Sequence, residues 1–209
     1  MKKIIIKHRG FEPKFDSSVF IAPTAAVIGN ILIGKDSRIM YGAVLDSEGS
    51  KIEIGECSVI CENAVLRATA SGNHEYPVKI GDHVFISPQS TLIGCKVESY
   101  SYVATGATIL QGAAVKSGAA VAVGAFVHAN TVVPANSFIP PNNIAIGDPI
   151  KIYSPEDQEG LAKAIKSIEF AKVAFNVDAK WENRIDRYKE ATSVRSKEFE
   201  NHFNDEILG

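Results

Sequence analysis

The chain has 209 residues, of which 45% are hydrophobic and 22% charged, and its formal net charge is −2. This balance gives no electrostatic reason to expect nucleic acid or an anionic membrane as a partner. No apolar run approaches the ~20 residues of a membrane-spanning helix. The opening residues MKKIIIKHRG hold too short an apolar run for a signal peptide, which predicts a cytoplasmic protein. In a reducing compartment its three cysteines are expected to be free thiols.

An aliphatic residue recurs at every sixth position through most of the chain, with short slips between runs. The members of this series are Ile21, Val27, Ile33, Ile39, Leu45, Ile54, Ile60, Leu66, Ile80, Ile86, Leu92, Val97, Val103, Ile109, Val115, Val121, Val127, Val133 and Ile139. A small residue usually follows four places later, as Ala107 follows Val103 and Ala113 follows Ile109. A helix repeats every 3.6 residues and a strand every 2, so neither alone explains this period.

The six-residue period predicts a parallel β-helix, in which each unit is a short strand and a corner. The aliphatic side chain points into the prism, and the small residue also faces inward near a corner. Three units close a coil of about 18 residues, so residues 15–145 predict about seven coils. Amphipathic helices are excluded, because a spacing of six places successive apolar residues on different helical faces. We expect the β-helix domain to span residues 10–150.

Two segments interrupt the repeat. Residues 67–79 lack the recurring aliphatic residue until Val78, and this gap predicts a loop projecting from the prism. Pro140 and Pro141 end the repeat by removing backbone donors.

A helical segment is predicted over residues 154–206. Ser154 and Pro155 have the residue types of a helix cap and first turn. The apolar stripe that follows is expected to pack on the prism and cover an edge; its members are Leu161, Ile165, Ile168 and Phe175. One or two further helices are expected over residues 178–206, around Trp181, Ile185, Tyr188, Phe199 and Phe203, and these could pack against a neighbouring subunit.

Three stretches together resemble the γ-class carbonic anhydrases. They are IMYGAVLDSEGSKIEIGECSVICENAVLRA, YPVKIGDHVFISPQSTLIGCKVESYSYVATGATILQGAAVKSGAAVAVGAFV and IPPNNIAIGDPIKI, and the resemblance covers residues 10–153. It implies a left-handed parallel β-helix with C-terminal α-helices, assembled as a homotrimer. It also implies a metal site at each subunit boundary, where two histidines of one subunit and one of the next hold a divalent ion.

The chain departs from the family at the residues that carry this chemistry. The first family histidine falls at Arg67, in ENAVLR, and the other two at Pro88 and Ile93, in ISPQSTLIGC. The family arginine and aspartate fall at Asp46 and Glu48, and the family glutamine at Cys61. Proline and isoleucine offer no lone pair, and arginine stays protonated. We therefore expect no metal or other cofactor at the family position, and no carbonic anhydrase activity by the family mechanism.

The substituted residues could build a different arrangement. Asp46, Glu48 and Arg67 could form a carboxylate–guanidinium cluster that fills the emptied site and holds the trimer together without metal. The alternative is that these side chains are solvated in a groove.

The remaining residues leave two further functions open. His74 lies beside Glu75 and Tyr76 in the projecting segment and could act as a general base, oriented by Glu75 and assisted by Tyr76. This would suit a hexapeptide-repeat acyltransferase that uses coenzyme A on an unidentified small-molecule substrate. The other function is a non-catalytic trimeric scaffold.

Two observations bear on other sites. A relocated metal site could be built from His74, His83 and Cys61, although their spacing does not require one, and His83 and His128 are expected to face outward. Cys57 and Cys61 fall in adjacent repeat units and do not have the spacing of a metal knuckle.

Overall fold

The computed structural model describes residues 3–71, 74–178 and 183–208. Short parallel strands form the three faces of a prism. The first face contains Ile4–Lys7, Ala26–Ile28, Val44–Asp46, Val65–Arg67, Thr91–Ile93, Thr108–Ile109, Phe126–Val127 and Ile144–Ile146. The second contains Lys14–Phe15, Ile31–Ile33, Ile52–Ile54, Val78–Ile80, Lys96–Val97, Ala114–Val115 and Val132–Val133. The third contains Phe20–Ile21, Arg38–Ile39, Val59–Ile60, Phe85–Ile86, Tyr102–Val103, Ala120–Val121 and Phe138–Ile139.

This β-solenoid confirms the fold class, with about eight coils rather than seven. The additional coil begins with Ile4–Lys7, which precedes the expected domain start and pairs in parallel with Ala26–Ile28. Three isoleucines form most of this strand, and they lie outside the six-residue series, so the repeat alone did not reveal it.

The aliphatic residues of the six-residue series form the inward-facing rows of the prism. Its aliphatic members are at most 4% exposed, and the small residues four places later are also buried through most of the prism. Ser37 and Ser58 show how a polar side chain is accommodated there. Ser37 Oγ donates to the Gly55 carbonyl at 2.8 Å, and Ser58 Oγ donates to the Gly81 carbonyl at the same distance. Each buried hydroxyl is thus hydrogen-bonded to the next coil.

The segment expected to be a loop is largely a β-hairpin. Arg67 still belongs to a first-face strand, and the strands Thr69–Ser71 and His74–Tyr76 then pair antiparallel before Val78 rejoins the prism. The break in the six-residue repeat therefore marks a β-hairpin that leaves the prism and forms its own backbone hydrogen bonds.

In the described parts of the C-terminal segment, residues 154–178 and 183–208, there are three α-helices and a 3₁₀ helix. These are α1 (Gln158–Ile168), α2 (Phe170–Phe175), α3 (Arg184–Phe199) and Glu200–Asn204. The expected start at Ser154 is wrong, because the cap is Asp157, whose carboxylate accepts the Gly160 N–H at 3.0 Å. The apolar stripe is interrupted after Ile168, where Glu169 adopts a left-handed conformation. Trp181 lies outside the described residues.

The last described strand of the chain pairs with the first one. The strand Glu206–Ile207 pairs antiparallel with Ile4–Lys7, so that Ile207 lies opposite Ile6. At the other end of the same face, Lys151–Tyr153 pairs antiparallel with Ile144–Ile146. Each end of the first face therefore carries an added antiparallel strand, which becomes the new edge of the sheet.

The three faces differ in what they present outward. The second face carries exposed ion pairs such as Lys79–Glu53 at 3.3 Å and Lys116–Glu98 at 3.0 Å. The third face carries four exposed aromatic residues, Phe20, Phe85, Tyr102 and Phe138. Of these, only Phe85 and Tyr102 are register neighbours. The first face is covered at several points by the C-terminal segment. Within the described ranges, no helix is long and apolar enough to cross a membrane.

Candidate functional site

The structure brings two of the three substituted ligand positions together on the first face. Asp46, Arg67 and Ile93 are register partners at the ends of three neighbouring strands. Pro88 lies in the turn between the third and first faces, and Cys61 follows the third-face strand Val59–Ile60. Within this chain, Pro88 therefore lies apart from Arg67 and Ile93, which are register partners.

Arg67 is surrounded by acidic and aromatic groups of the same chain. Its Nη2 atom donates to Glu48 Oε1 and lies 3.6 Å from Asp46 Oδ2. The guanidinium carbon lies 4.5 Å from the centre of the Phe199 ring, within the range of a cation–π contact. The side chain is 28% exposed, and its buried Nε has no hydrogen-bond partner in the described parts of the chain. Arg67 is therefore held by two carboxylates and one ring face.

The two carboxylates are placed by a tight turn. Asp46 ends its strand, and its Oδ1 accepts the backbone N–H of Glu48 at 3.0 Å, while Glu48 has a left-handed φ of 44°. The Glu48 side chain is only 2% exposed. Burial raises the pKa of Asp46, and the nearby Glu48 charge raises it further against the opposing effects of the Glu48 N–H and Arg67. These groups form a buried cluster, in contrast to the alternative of solvated side chains in a groove.

A second part of the cluster was missed by sequence reasoning. Asp205 accepts hydrogen bonds from both His8 Nδ1, at 2.6 Å, and His202 Nδ1, at 2.8 Å. The two imidazole rings are stacked with centroids 4.3 Å apart. His202 Nε2 also lies 3.1 Å from Glu48 Oε1, which connects this pair to Arg67. The residues come from opposite ends of the sequence, and no spacing pattern links them.

The hydrogen-bond partners of the two rings differ. His8 Nε2 accepts from Arg9 Nε at 3.2 Å, so Nδ1 is the atom that donates to Asp205. His202 has a carboxylate at each nitrogen, an arrangement that favours the imidazolium ion. Burial lowers the pKa of His202, but the hydrogen bonds to Asp205 and Glu48 outweigh it and leave that pKa raised.

Two groups in this cluster have donor atoms close enough for a metal ion. They are His8, His202 and Asp205, and Asp46, Glu48 and His202. In the first group the carboxylate of Asp205 already accepts a hydrogen bond from each histidine. In the second group the Arg67 guanidinium lies against both carboxylates, and its positive charge opposes a cation there.

The predicted catalytic residues lie on the hairpin. His74 and Glu75 are exposed, and Glu75 Oε2 accepts from Ser50 Oγ at 3.3 Å. Tyr76 packs so closely on Gly94 that a Cβ there would lie 2.4 Å from the Tyr76 Cβ. Neighbouring strand residues point to opposite sides, so Glu75 faces away from the other two. Their catalytic role stays a prediction.

The other histidines and cysteines do not form a shared site. His83 is exposed and stacks on Tyr100 at 5.5 Å. His128 was expected to be outward-facing but is only 6% exposed, because Phe170 covers it with ring centroids 5.5 Å apart. Cys61 and Cys95 are buried, and burial raises the pKa of Cys95 to about 12. Among the described residues, His74, His83 and Cys61 do not form a metal-binding group.

Comparisons with known proteins agree with the motifs. No family model matches the chain. Over 100 residues it is 38% identical to γ carbonic anhydrase 2, mitochondrial, from Arabidopsis thaliana, which covers 47% of this chain and 36% of that protein. Over 92 residues it is 35% identical to a probable carbonic anhydrase from Methanocaldococcus jannaschii, which covers 44% of this chain and 55% of that protein.

The chain is similar to the γ-class carbonic anhydrases. This confirms the resemblance inferred from its motifs. The match spans only about a third to a half of these relatives' length. A putative acetyltransferase from Bacillus cereus gives a TM-score of 0.53 at 23% identity, with 98% of this chain and 100% of that chain covered. At this identity the second likeness concerns the fold alone, which is shared by enzymes of different chemistry.

Proposed function

We propose that this chain is a non-catalytic subunit of a γ-carbonic anhydrase-like homotrimer, whose family metal position is closed by its own side chains. The observation that carries this proposal is the contact of Arg67 with Glu48, Asp46 and Phe199. A guanidinium has no acceptor for a metal, and its positive charge opposes one. Ile93, the register partner of Arg67, adds no ligand atom. Without a metal-activated water, the family route to carbon dioxide hydration is lost.

The trimer in this proposal rests on the resemblance and on the third face. The exposed aromatic side chains there provide apolar surface of the kind that subunit contacts bury. The Phe85 and Tyr102 rings of neighbouring coils stack with their centroids 5.8 Å apart and form the continuous part of this surface. Sedimentation of the full chain tests the assembly: the proposal expects three chains per particle, and a monomer would contradict it.

The loss of activity is tested by stopped-flow carbon dioxide hydration. The full chain is assayed after incubation with zinc, cobalt(II) or iron(II), beside the triple variant Arg67→His, Pro88→His and Ile93→His. We expect no rate above buffer for the unaltered chain, and metal uptake by a folded, trimeric triple variant. Hydration by the unaltered chain that is abolished by a chelator would contradict the proposal.

A hexapeptide-repeat acyltransferase is the second candidate, and the exposed ring of His74 favours it. In the described parts of the chain that ring has no hydrogen-bond partner, so it is open to a substrate. Calorimetric titration with coenzyme A tests binding, and release of the coenzyme A thiol from acetyl-coenzyme A in the presence of hydroxyl or amine acceptors tests transfer, with His74→Ala as the matched variant. Saturable coenzyme A binding, together with acetyl transfer that is lost in His74→Ala, would support the second candidate over the first. A cytoplasmic location remains part of the proposal, while the Arabidopsis relative is named as mitochondrial.

A further inference from the structure

A cavity distinct from the Arg67 cluster lies where the C-terminal helices meet the first face. Its volume is about 520 Å³, within the usual range for small-molecule sites. Helix α2, the end of α1 and the first half of α3 form its walls. His128, which directly follows the first-face strand Phe126–Val127, also lines it, whereas Arg67 and its partners do not.

The walls of the cavity are mainly apolar and aromatic. The apolar residues of the lining include Ile165, Phe170, Phe175, Val177 and Ala191. The Phe170 and Phe175 rings are nearly perpendicular, with centroids 6.4 Å apart. A flat aromatic group can pack against the face of one such ring and the edge of the other.

The charged groups of the lining are already compensated or exposed to solvent. Lys172 Nζ lies 3.1 Å from Asp178 Oδ1, and Glu169 is exposed. Lys166 and Arg187 each have an interaction partner. A charged ligand would therefore lose its hydration in a mainly apolar cavity without gaining a free counter-charge, which costs free energy. A neutral ligand avoids that cost.

His128 presents a buried hydrogen-bond donor at the cavity. The residue is 6% exposed, and its Nδ1 accepts the backbone N–H of Ala129 at 2.8 Å. The neutral ring therefore carries its proton on Nε2, and burial lowers the pKa of His128, which favours this neutral form. Among the described residues, no atom accepts a hydrogen bond from Nε2. A ligand with an acceptor oxygen would satisfy this donor.

The orientation of the His128 ring is set by its neighbours before a ligand binds. The rings of Phe126 and Phe170 make edge contacts with the imidazole, each with centroids 5.5 Å apart. The Ala129 N–H fixes the ring at a third point. A donor that is already held in place loses little conformational entropy on binding.

We propose that this cavity binds a neutral aromatic carbonyl compound, whose rings pack against Phe170 and Phe175 and whose carbonyl oxygen accepts the Nε2 proton of His128. The ligand class follows from the volume, the aromatic walls, the compensated charges and the His128 donor together. This site goes beyond the function proposed above and does not depend on the fate of the metal position.

The probe is 2-acetylnaphthalene, and two analogues of similar shape test its carbonyl group. In 2-isopropenylnaphthalene a methylene group replaces the carbonyl oxygen, and 2-naphthoate carries a charged carboxylate. Equilibrium dialysis of the full chain, with naphthalene absorbance as the readout, is expected to show saturable binding of one 2-acetylnaphthalene per chain. We expect 2-naphthoate to bind about tenfold more weakly, because its charge would be buried without a free partner.

His128→Phe keeps an aromatic ring and removes the donor. In this variant the affinity for the ketone, relative to that for the isopropenyl compound, should fall by about threefold to tenfold, the effect of one neutral hydrogen bond. His83→Phe is the matched control, because His83 is exposed and lies outside the lining, and it should leave this ratio unchanged.

Ala171→Leu tests the location of the site by placing bulk in the cavity. We expect it to weaken binding of both uncharged compounds by about tenfold, since overpacking a filled site is unfavourable. Ala162→Leu is its control, because Ala162 is an exposed residue of α1 outside the lining.

Four results would overturn the proposal. They are the absence of saturable ketone binding, equal or tighter binding of 2-naphthoate, the same affinity ratio in His128→Phe and the unaltered chain, and undiminished affinity in Ala171→Leu. If either variant does not fold, amide hydrogen exchange of the unaltered chain replaces it. The ketone should then slow exchange in Phe170–Phe175 and leave the hairpin strand Thr69–Ser71 unchanged, and unaltered exchange in α2 would contradict the assignment.

Discussion

Arg67 and Asp46 are register partners in neighbouring parallel strands, with Arg67 Nη2 3.6 Å from Asp46 Oδ2. Glu48 also contacts Arg67, and it lies 3.8 Å from Arg9 Nη2 and 3.1 Å from His202 Nε2, near the other end of the chain. The family metal position in this chain therefore adjoins an ion cluster that joins the prism to its C-terminal segment.

Removal of Arg67 should destabilise the fold. Arg67→Met keeps the apolar stem but removes the guanidinium that contacts Glu48, whose side chain is 2% exposed and retains Arg9 at 3.8 Å and His202 at 3.1 Å. Because these two groups still face Glu48, we expect a loss of about 1–2 kcal/mol in the free energy of unfolding, less than for a buried charge that loses its sole partner. Urea denaturation followed by circular dichroism measures it.

Lys79→Met is the matched control for Arg67→Met. It removes an exposed partner of Glu53 on the second face, and we expect the free energy of unfolding to fall by well below about 1 kcal/mol. Equal unfolding midpoints for the unaltered chain and Arg67→Met would show that the cluster does not stabilise the fold. If the cluster also holds the trimer, Arg67→Met should dissociate at a higher protein concentration than the unaltered chain does.

The attachment of the C-terminal segment should weaken as the pH rises. His202 has a raised pKa in the folded state. Its contribution to the stability of the fold is therefore complete below the unfolded-state pKa near 6.5, and it is lost as the pH rises through the higher folded-state pKa. Asp46, whose pKa is also raised, changes stability in the same direction at lower pH. Between pH 6 and 9 we expect faster amide hydrogen exchange at residues 206–208 beyond the intrinsic pH effect.

His202→Asn should remove most of that pH dependence, because the titrating ring is gone. His83→Asn is the control, since His83 is exposed and stacks only on Tyr100 among the described rings. An identical pH profile in His202→Asn and in the unaltered chain would exclude His202 as the titrating group.

The close stacking of coils should make Gly55 hard to replace. A Cβ at Gly55 would lie 2.7 Å from the backbone carbon of Gly81 and 2.2 Å from Asp82 Oδ1. Gly55→Ala therefore forces two coils apart, and we expect the free energy of unfolding to fall by about 3 kcal/mol. Gly106→Ala meets no atom within 4 Å and carries only the strain of a φ of +69°, about 1 kcal/mol. Thermal unfolding of both variants checks the order, and the reverse order would contradict the stacking argument.

The three thiols should react at different rates. Cys57 is exposed, whereas Cys61 and Cys95 are buried and burial raises the pKa of both thiols. A disulfide reagent at pH 8 should therefore modify one thiol per chain rapidly, and Cys57→Ser should remove that phase. Rapid modification of two or three thiols in the native protein would contradict this prediction, because it would show that the reagent reaches Cys61 or Cys95.

The prism was predictable because its repeat places one aliphatic residue at each inward position. Leu45, Leu66 and Leu92 are register partners in the structure and members of one series in the sequence. The first coil was missed since Ile4–Lys7 does not follow that series. His8, His202 and Asp205 were missed because their contact depends on where the C-terminal segment returns. No local pattern predicts a contact across nearly the whole chain.

The metal content of the purified protein tests the central claim most directly. Protein prepared without chelator or affinity tag is analysed for zinc, iron, cobalt and nickel, and the result is expressed per chain. With Arg67 and Ile93 at the family position, we expect far less than one metal ion per three chains. About one ion per chain, lost in His8→Phe or His202→Asn, would contradict the account and identify the histidine cluster as a relocated metal site.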